Sequence, residues 1–407
     1  MHDFLYLYKM IKREKYRQIV DALQSMPVVA LIGARQVGKT TLSIEISKQI
    51  NKQVTYIDLE SDADFNKLTD AENYLKRFSD QLLIIDEVQR KPDLFRLLRG
   101  IVDERKRNGE TSGHFLLLGS SSADLLQKSS ESLAGRIRYL ELTPFTINEL
   151  YENERAAFSL EKLWLRGGFP GSYLAATEQE SWEWRRDFFV TYVERDIPNL
   201  GVGVPPAQLK RFWKMLAHYH GNQINFSELG RSLETSHTTI RNYLDLLVDF
   251  YMVRQLLPWS GNIKKRLVKS PKIYLRDSGI LHSLLQLSDI EALLSHPSLG
   301  ASWEGFVIEN IINLLNDRWE YYYYRTATQA EIDLVLHSPA NQTWAIEIKR
   351  SSAPKLTRGF YEGCKDIGAT SKWVITANND RYPLPGEVEV IGISEFLELI
   401  KEKQKTF

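Results

Sequence analysis

Short apolar runs recur along the first third of the chain, separated by longer polar segments. They occupy residues 28–32, 82–85 and 115–118, and a further strand is predicted at 138–142. Runs of this length with no polar interruption are typical of parallel strands that are covered on both faces. The pattern therefore predicts an α/β fold, with a doubly wound parallel sheet in the N-terminal part.

Two other periodicities follow further along the chain. Between residues 226 and 247, leucine and isoleucine recur at helical spacing, which predicts two helices joined by a tight turn. Residues 331–336 and 345–349 instead alternate between apolar and charged side chains, as strands with one charged face do. A helix beginning at Trp303 is expected to precede these two strands.

The loop after the first apolar run has the spacing G-x-x-x-x-G-K-T, from Gly33 to Thr40. In loops of this kind backbone N–H groups surround phosphate oxygens, the lysine (Lys39) reaches the β- and γ-phosphates, and the threonine hydroxyl binds Mg²⁺. A helix from Thr41 onward would add its positive N-terminal end. We expect ATP and Mg²⁺ as ligands. A glycine-containing turn is the alternative, and the sequence alone does not separate ATP from GTP.

Two carboxylates end the second apolar run. Asp86 is expected to hold Mg²⁺ together with Thr40, and Glu87 to polarise the attacking water; a solvated acidic turn is the alternative. Ser120, after the third run, is interpreted either as a γ-phosphate sensor or as an ordinary helix N-cap. The predicted nucleotide-binding residues are Gly33, Gln36, Val37, Gly38, Lys39, Thr40, Thr41 and Ser120.

Arg136 follows Gly135 at the mouth of the fourth predicted strand. An arginine there is a candidate arginine finger, which stabilises the charge on a transferring phosphoryl group either in its own subunit or in a neighbouring one. A surface arginine in a solvated loop is the alternative interpretation.

These motifs have companions elsewhere in the chain, at residues 132–136, 167–170, 192–196 and 272–279. Together they resemble a bacterial and archaeal family of AAA+-type P-loop ATPases with a fused C-terminal domain of unknown function that has a restriction-endonuclease-like core. The resemblance implies four parts, which are an AAA+-like P-loop ATPase core at 1–155, a helical lid at 156–204, a winged helix-turn-helix at 205–285 and a restriction-endonuclease-like α/β domain at 286–407.

The two predicted helices between residues 226 and 247 resemble a winged helix-turn-helix, with a hairpin wing expected through Tyr251 to Trp259. Two sets of side chains are candidate DNA contacts. The exposed face of the second helix offers His237, Thr238, Arg241 and Asn242, and a basic cluster follows at Lys264, Lys265, Arg266, Lys269 and Lys272. Packing or oligomerisation is the alternative role for such a module.

The alternating strands of the C-terminal part place Glu347 and Lys349 on one face, with Asp333 on the preceding strand. This arrangement resembles the D…(D/E)-x-K core of restriction-endonuclease-like nucleases. The resemblance implies Mg²⁺ held by Asp333 and Glu347, supplemented by Glu309, with Lys349 positioning or activating water. A solvated, salt-bridged strand face without catalysis is the alternative.

Composition limits the remaining possibilities. The 407 residues carry 52 basic and 52 acidic side chains, so DNA or membrane binding through net charge is not expected. One cysteine excludes an internal disulfide. Without an apolar run of about 18 residues or a signal peptide, we expect a cytoplasmic protein that does not bind membranes.

The combined expectation is a Mg²⁺-dependent ATPase that forms homo-oligomers and couples its nucleotide state to the binding or processing of DNA. The rival interpretation is a nucleotide-switched scaffold whose C-terminal domain is a protein-interaction module without nuclease activity.

Overall fold

The computed structural model describes residues 11–120, 133–199, 203–261 and 267–406. These residues form three β-sheets, each with its own helices. Among the described residues, every helix is too short or too polar to cross a bilayer.

The first sheet is parallel and five-stranded, in the order β2-β3-β4-β1-β5. Its strands are β1 (Val28–Ile32), β2 (Val54–Asp58), β3 (Leu82–Asp86), β4 (Phe115–Gly119) and β5 (Ile137–Glu141). Alternate residues of β1 enter two different apolar cores, with Val29 and Leu31 in one and Val28, Ala30 and Ile32 in the other. The predicted doubly covered parallel sheet is thus confirmed.

The helices of this part cover the two faces of the sheet. They are α1 (Lys15–Ser25), α2 (Lys39–Gln49), α3 (Asp62–Lys67), α4 (Ala71–Lys76) and α5 (Leu94–Arg107), with short 3₁₀ turns at Leu68–Asp70 and Val88–Arg90. Helix α5 illustrates the amphipathic rule, because its buried residues Leu94, Leu98, Ile101 and Val102 recur at helical spacing.

A helical region follows the first sheet. It contains α6 (Ile147–Glu154), a 3₁₀ turn (Arg155–Ala157), α7 (Leu160–Arg166), α8 (Pro170–Tyr173), α9 (Glu178–Thr191), a π-helical turn (Tyr192–Asp196), α10 (Ile197–Asn199) and α11 (Pro206–His218). Gly167 has φ +74° in the predicted tight turn before α8. Helix α6 begins with a capping box between Thr146 and Glu149.

The two helices predicted between residues 226 and 247 are α12 (Phe226–Ser232) and α13 (His237–Asp249). Strands β6 (Asn222–Gln223), β7 (Val253–Leu256) and β8 (Lys272–Leu275) form a small antiparallel sheet in the order β6-β8-β7. The wing expected at 251–259 therefore contains only the first strand of a hairpin, β7. The strand that pairs with it, β8, begins at Lys272.

The C-terminal part begins with α14 (Ser278–Leu284), α15 (Ile290–Ser295) and α16 (Leu299–Leu314). A six-stranded mixed sheet follows, in the order β13-β14-β12-β11-β10-β9. Its elements are β9 (Glu320–Arg325), β10 (Glu331–His337), β11 (Thr343–Ile348), α17 (Arg358–Asp366), β12 (Ser371–Thr376), β13 (Tyr382–Leu384), β14 (Val388–Gly392) and α18 (Ile393–Thr406). The strands expected at 331–336 and 345–349 are β10 and β11.

The segment between β7 and β8 lies against edge strand β9 of this sheet. Tyr323 of β9 exchanges backbone hydrogen bonds with Leu257 (3.0 Å) and Trp259 (2.7 Å), and Val268 N–H donates to the Arg325 carbonyl at 3.1 Å. These bonds satisfy polar groups on a strand edge that is otherwise open to another chain. The hairpin and the C-terminal sheet are therefore joined through their backbones.

Gly168 lies at the contact between the first sheet's domain and the helical region. We expect Gly168→Ala to lower the free energy of unfolding by about 1–3 kcal/mol, because its Cβ would lie 2.3 Å from the Phe145 carbonyl oxygen. The Phe145 N–H donates to the Gly168 carbonyl at 2.7 Å, so the two backbones cannot separate without losing that bond. Urea denaturation monitored by tryptophan fluorescence would measure the change.

Gly100→Ala is the matched control, since Gly100 lies inside α5 and a Cβ there would meet no heavy atom within 4 Å. This substitution should raise the free energy of unfolding by about 0.5–1 kcal/mol. Equal effects at the two glycines would contradict the close-contact explanation.

Candidate functional site

The loop between β1 and α2 has a backbone that ordinary side chains disfavour. Gly33 has φ +147° and a Cβ there would lie 2.2 Å from the Leu142 carbonyl oxygen. Gly38 has φ +96°, and Gln36 also has a positive φ of 63°. The two glycines of the motif are therefore required by backbone conformation and, at Gly33, by close approach to the segment after β5.

Side chains from two neighbouring strands meet beside this loop. The Lys39 ammonium is buried and donates to the Gly33 carbonyl at 2.9 Å, the Ala34 carbonyl at 2.8 Å and the Ser120 hydroxyl at 3.3 Å. Burial lowers the pKa of Lys39 to about 8. A phosphate group would give this poorly compensated cation anionic partners.

The Thr40 hydroxyl donates to Asp86 Oδ2 at 2.7 Å. Tyr56, on edge strand β2, donates its hydroxyl to the same oxygen at 2.5 Å. The structure thus brings together the hydroxyl and the carboxylate that the sequence assigned to Mg²⁺. Tyr56 was not predicted from the sequence, because an exposed tyrosine on an edge strand gives no sign of a contact to the next strand.

Glu87 follows Asp86 with a positive φ of 53°, a backbone conformation uncommon outside glycine. Its carboxylate accepts from the Ser120 hydroxyl at 3.0 Å and from the Gln89 side-chain amide. Burial raises the pKa of Glu87, and the charges of Lys39 and Arg35 oppose that rise. Ser120 therefore lies between Lys39 and Glu87, close to where a γ-phosphate sensor is expected.

A cavity of about 810 Å³ opens above the loop. Its walls come from the loop and α2 on one side and from the helical region on the other. The lining residues are Arg35, Gln36, Gly38, Lys39, Thr40, Thr41, Glu60, Glu87, Arg90, Pro170, Thr191, Arg195 and Asp196. Ligand pockets commonly have volumes of roughly 300–1,000 Å³, so the space suits a nucleotide.

Arg35 connects the loop to both sides of the cavity. Its guanidinium pairs with Asp196 of the π-helical turn and with Glu60, and it lies 4.0 Å from Glu87. Burial alone would lower the pKa of Arg35, but the three carboxylates raise it. This role of Arg35 could not be predicted from the sequence, since the loop pattern accepts any residue at this position. Asp196 thereby connects the helical region to the phosphate-binding loop.

Arg13 fixes the loop from the opposite side. This buried side chain donates to Glu149 at 2.9 Å, to the Val37 carbonyl at 2.8 Å and to the Thr143 carbonyl at 2.5 Å. It thus ties the start of α1 and the cap of α6 to the phosphate-binding loop. Sequence inspection missed Arg13, because its partners lie 24 to 136 residues away.

Arg136 lies at the other end of the same sheet. Its carbonyl accepts from Val28 N–H at 3.2 Å, where β1 begins, and its side chain pairs with Asp103 at 2.8 Å. The cavity is at the carboxyl end of β1, about 16 Å away for five strand residues. Arg136 therefore does not reach the cavity of its own chain.

The residues around the cavity fit a Mg²⁺–nucleotide complex. Thr40 and Asp86 would hold the ion from one side, as phosphate oxygens and water complete its shell, and Lys39 is buried without a carboxylate in hydrogen-bonding contact. Thr41, in the first turn of α2, also lines the cavity.

The predicted exposed face of α13 is present, since His237, Thr238, Arg241 and Asn242 are all exposed. The basic cluster is only partly as expected. Lys269 is exposed, residues 264–266 lie outside the described part of the chain, and Lys272 is 1% exposed within a group of carboxylates. The expectation that Lys272 offers positive charge to DNA is therefore wrong.

The C-terminal strands bring the predicted residues Asp333, Glu347 and Lys349 together. Lys349 Nζ lies 2.7 Å from Glu347 and 3.9 Å from Asp333, and Ile348 N–H donates to Asp333 at 2.9 Å. Burial raises the pKa of both carboxyl groups. The charge of Glu304 raises the pKa of Asp333 further, and the charge of Asp333 raises that of Glu347 further.

Glu309 does not join this group, contrary to the sequence prediction. Its carboxylate pairs with Arg254 and with Arg276, the latter at 3.2 Å. The helix residue that faces Asp333 is Glu304, which lies 3.1 Å from Lys272 Nζ. Five residues of helix separate Glu304 from Glu309, which turns them about 140° apart on α16.

These C-terminal residues do not fit a divalent metal as they are arranged. No three acidic, histidine or cysteine side chains within the described ranges are placed to bind one. The ammonium groups of Lys272 and Lys349 occupy the space between the carboxylates instead. The expected Mg²⁺ site at Asp333, Glu347 and Glu309 is thus not formed in this structure.

Three protein-family models match the chain. One described as an AAA domain matches residues 25–151, and two described as domains of unknown function, DUF8612 and DUF4143, match residues 157–291 and 299–396. The first match contains the phosphate-binding loop, Asp86 and Glu87. It indicates an ATPase-type domain that binds and hydrolyses ATP.

Several solved structures resemble part of the chain at low similarity. The branch migration motor RuvB of Thermotoga maritima is 19% identical, covers 60% of this chain and 90% of its own, and has a TM-score of 0.31. The ORC1 protein of Aeropyrum pernix, solved in complex with DNA, is 12% identical over 70% of this chain and 95% of its own, with a TM-score of 0.33. Similarity at this level supports no functional argument.

Two mycobacterial proteins match most of the chain. The uncharacterized protein Rv2008c of Mycobacterium tuberculosis H37Rv is 41% identical over 386 residues, which are 95% of this chain and 84% of that protein. The uncharacterized protein Mb2031c of Mycobacterium bovis shows the same identity and coverage. The chain therefore belongs to the family of these mycobacterial proteins, and its N-terminal part is an AAA-type P-loop ATPase domain.

Proposed function

We propose that this protein is a Mg²⁺-dependent ATPase that works as a homo-oligomer and uses its nucleotide state to control binding to DNA. The observation that carries the ATPase part is the convergence of Lys39, the Thr40–Asp86 pair and Glu87 on one cavity at the carboxyl end of a parallel sheet. Ligands of open α/β sheets commonly bind at this edge.

Binding would replace the carbonyl partners of Lys39 with phosphate oxygens. An N–H···O⁻ bond to an anion is stronger than one to a carbonyl, so the exchange favours the bound state. Arg35 and Arg195 line the same cavity and supply further positive charge. Mg²⁺, when bound through Thr40 and Asp86, would neutralise charge on the phosphate chain.

Glu87 is the group that would polarise the attacking water. Its carboxylate is partly buried beside Ser120 and Gln89, which fix its direction. Burial raises the pKa of Glu87, which makes it a stronger proton acceptor, and the charges of Lys39 and Arg35 oppose that rise. Ser120 would contact the γ-phosphate, since its hydroxyl already joins Lys39 to Glu87.

Arg136 completes the site only from a neighbouring subunit. It lies at the opposite end of the sheet from its own cavity and is partly exposed beside Asp103. Packing of one subunit's amino-end surface onto the next subunit's cavity would bring the guanidinium to the γ-phosphate. Hydrolysis would then depend on assembly.

DNA contact is proposed through α13, whose exposed face carries His237, Thr238, Arg241 and Asn242. Hydrogen-bonding side chains in the first turns of such a helix suit phosphate and base-edge contacts. The hairpin β7–β8 beside it would act as the wing of a winged helix. We assign no cleavage step to the C-terminal domain, because its carboxylates are paired with lysines.

The competing proposal is a nucleotide-switched scaffold that binds another protein through the C-terminal domain. Burial of Lys272 and the neutral overall charge favour it over bulk electrostatic attraction to DNA. The two proposals differ in salt dependence, because neutralising phosphates releases counterions and protein contacts of mixed charge do not.

We expect Glu87→Gln to retain ATP binding and to lower the turnover number by about 10²- to 10⁴-fold, because the amide cannot accept a proton from water. Lys39→Ala should abolish binding. Binding of a fluorescent ATP analogue and phosphate release would be measured for both variants. A fully active Glu87→Gln protein would remove Glu87 from the proposed chemistry.

Arg136→Ala is expected to lower turnover by about 10³-fold or more with little change in ATP binding. Mixing Arg136→Ala with Lys39→Ala subunits should restore part of the activity. Where the cavity of an Arg136→Ala subunit meets the arginine of a Lys39→Ala subunit, the interface has both an intact cavity and an intact arginine. Arg99→Ala, another arginine near Asp103 (3.9 Å), is the matched control. Absence of complementation together with normal assembly would exclude a role across subunits.

Arg241→Ala should weaken duplex DNA binding and reduce the slope of log affinity against log salt by about one if Arg241 contacts a phosphate. Fluorescence anisotropy at several salt concentrations, with and without ATP, would measure this. Arg358→Ala is the control, because its side chain is 93% exposed on a different domain. Salt-independent or undetectable DNA binding by the unaltered protein would favour the scaffold.

A further inference from the structure

One lysine of the middle region lies inside the C-terminal domain. Lys272, on β8, is 1% exposed. Its ammonium lies 2.8 Å from Glu331, 3.1 Å from Glu304 and 3.9 Å from Asp333. A second strand residue, Tyr274, donates its hydroxyl to Glu304. The cation is thus enclosed by carboxylates from α16 and β10.

The contacts of this ammonium resemble those of a bound cation. Buried carboxylates must be compensated by positive charge, and a lysine and a divalent metal are alternative ways to provide it. Lys272 and Lys349 share this compensation, since both lie 3.9 Å from Asp333 and Lys349 also pairs with Glu347. A metal bound among the same oxygens would meet repulsion from both ammonium groups.

A second observation is that one buried carboxylate oxygen of this group could still accept a cation. Glu347 is 6% exposed, and its Oε2 atom is buried without a hydrogen-bond partner among the described residues. Such an atom normally finds a donor or a metal ion. Its other oxygen accepts from Lys349. Asp333, the neighbouring carboxylate, receives a backbone N–H at 2.9 Å and keeps its other oxygen toward Lys272.

We propose that Lys272 is the resident cation of Glu304, Glu331 and Asp333, and that it excludes a divalent metal from the carboxylate group that these three form with Glu347. The group would bind Mg²⁺ or Mn²⁺ once the ammonium is removed or withdrawn. Lys272 also joins β8 to the C-terminal sheet, so metal binding and the position of β8 become mutually exclusive. This inference does not depend on the proposed ATPase activity.

Mn²⁺ binding to the full-length protein without nucleotide tests the proposal directly. Electron paramagnetic resonance of free Mn²⁺ would be compared for the unaltered protein and Lys272→Met, whose side chain has similar length and no charge. We expect one additional Mn²⁺ site in Lys272→Met with at least about tenfold tighter binding. That site should disappear in Lys272→Met combined with Asp333→Asn.

Lys269→Met is the matched control, because it removes the same charge from an exposed position on the same segment. It should bind Mn²⁺ like the unaltered protein. Any Mn²⁺ binding at Thr40 and Asp86 would be common to all these proteins and would cancel in the comparison.

The melting temperature of each protein, in EDTA and in Mn²⁺, provides an independent measurement. Lys272→Met leaves carboxylates unpaired and should melt earlier in EDTA, by a shift that Mn²⁺ reverses, because a ligand bound only by the folded state stabilises it. Lys272→Gln serves the same purpose if Lys272→Met does not fold. The proposal is overturned if the unaltered protein binds Mn²⁺ through Asp333 as tightly as the variant. It is equally overturned if a folded Lys272 variant gains no site.

Discussion

Compensation of buried charge along strand β8 determines how the parts of this protein are joined. Side chains two residues apart on a strand face the same way, so Lys272 and Tyr274 both point toward α16, and Arg276, directly after the strand, also contacts this helix. Lys272 and Tyr274 contact Glu304, and Arg276 contacts Glu309 and, at 2.6 Å, Glu141 at the end of β5. Removing one partner of a buried pair commonly costs about 3–5 kcal/mol, so this strand holds the ATPase sheet and the C-terminal domain in one arrangement.

The nucleotide cavity depends on the same kind of compensation. Arg13 holds the loop through the Val37 carbonyl, and Arg35 links it to Asp196 of the helical region and to Glu60. An anionic ligand would attract Arg35 away from these carboxylates. Phosphate binding would therefore be coupled to the position of the helical region through one guanidinium. Asp277, the residue after Arg276, provides a further link to this region, since it accepts from Gly168 N–H at 2.8 Å.

The sequence pattern was sufficient to predict the main strands and the phosphate-binding loop, but it did not predict which charged residues pair with each other. The apolar runs predict β1, β3 and β4, because burial on both faces leaves no polar position in them. Spacing alone placed Lys39, Thr40, Asp86 and Glu87 together. The partners of Arg13, Arg35 and Lys272 were not predictable, since each contact joins segments that are distant in sequence and a charged residue has no periodicity that identifies its partner.

The choice between Glu304 and Glu309 shows where such prediction ends. Both are acidic, both lie on α16 and both precede the strands with Asp333 and Glu347, so composition and order cannot distinguish them. Their difference is rotational, because five residues turn a helix by about 140° past one full turn. Glu304 thereby meets Lys272, and Glu309 meets Arg254 and Arg276. One helix thus compensates two separate basic groups, Lys272 through Glu304 and the two arginines through Glu309. The carboxylate that joins the C-terminal group is the one that lies near Asp333 in space, and spacing along the sequence does not identify it.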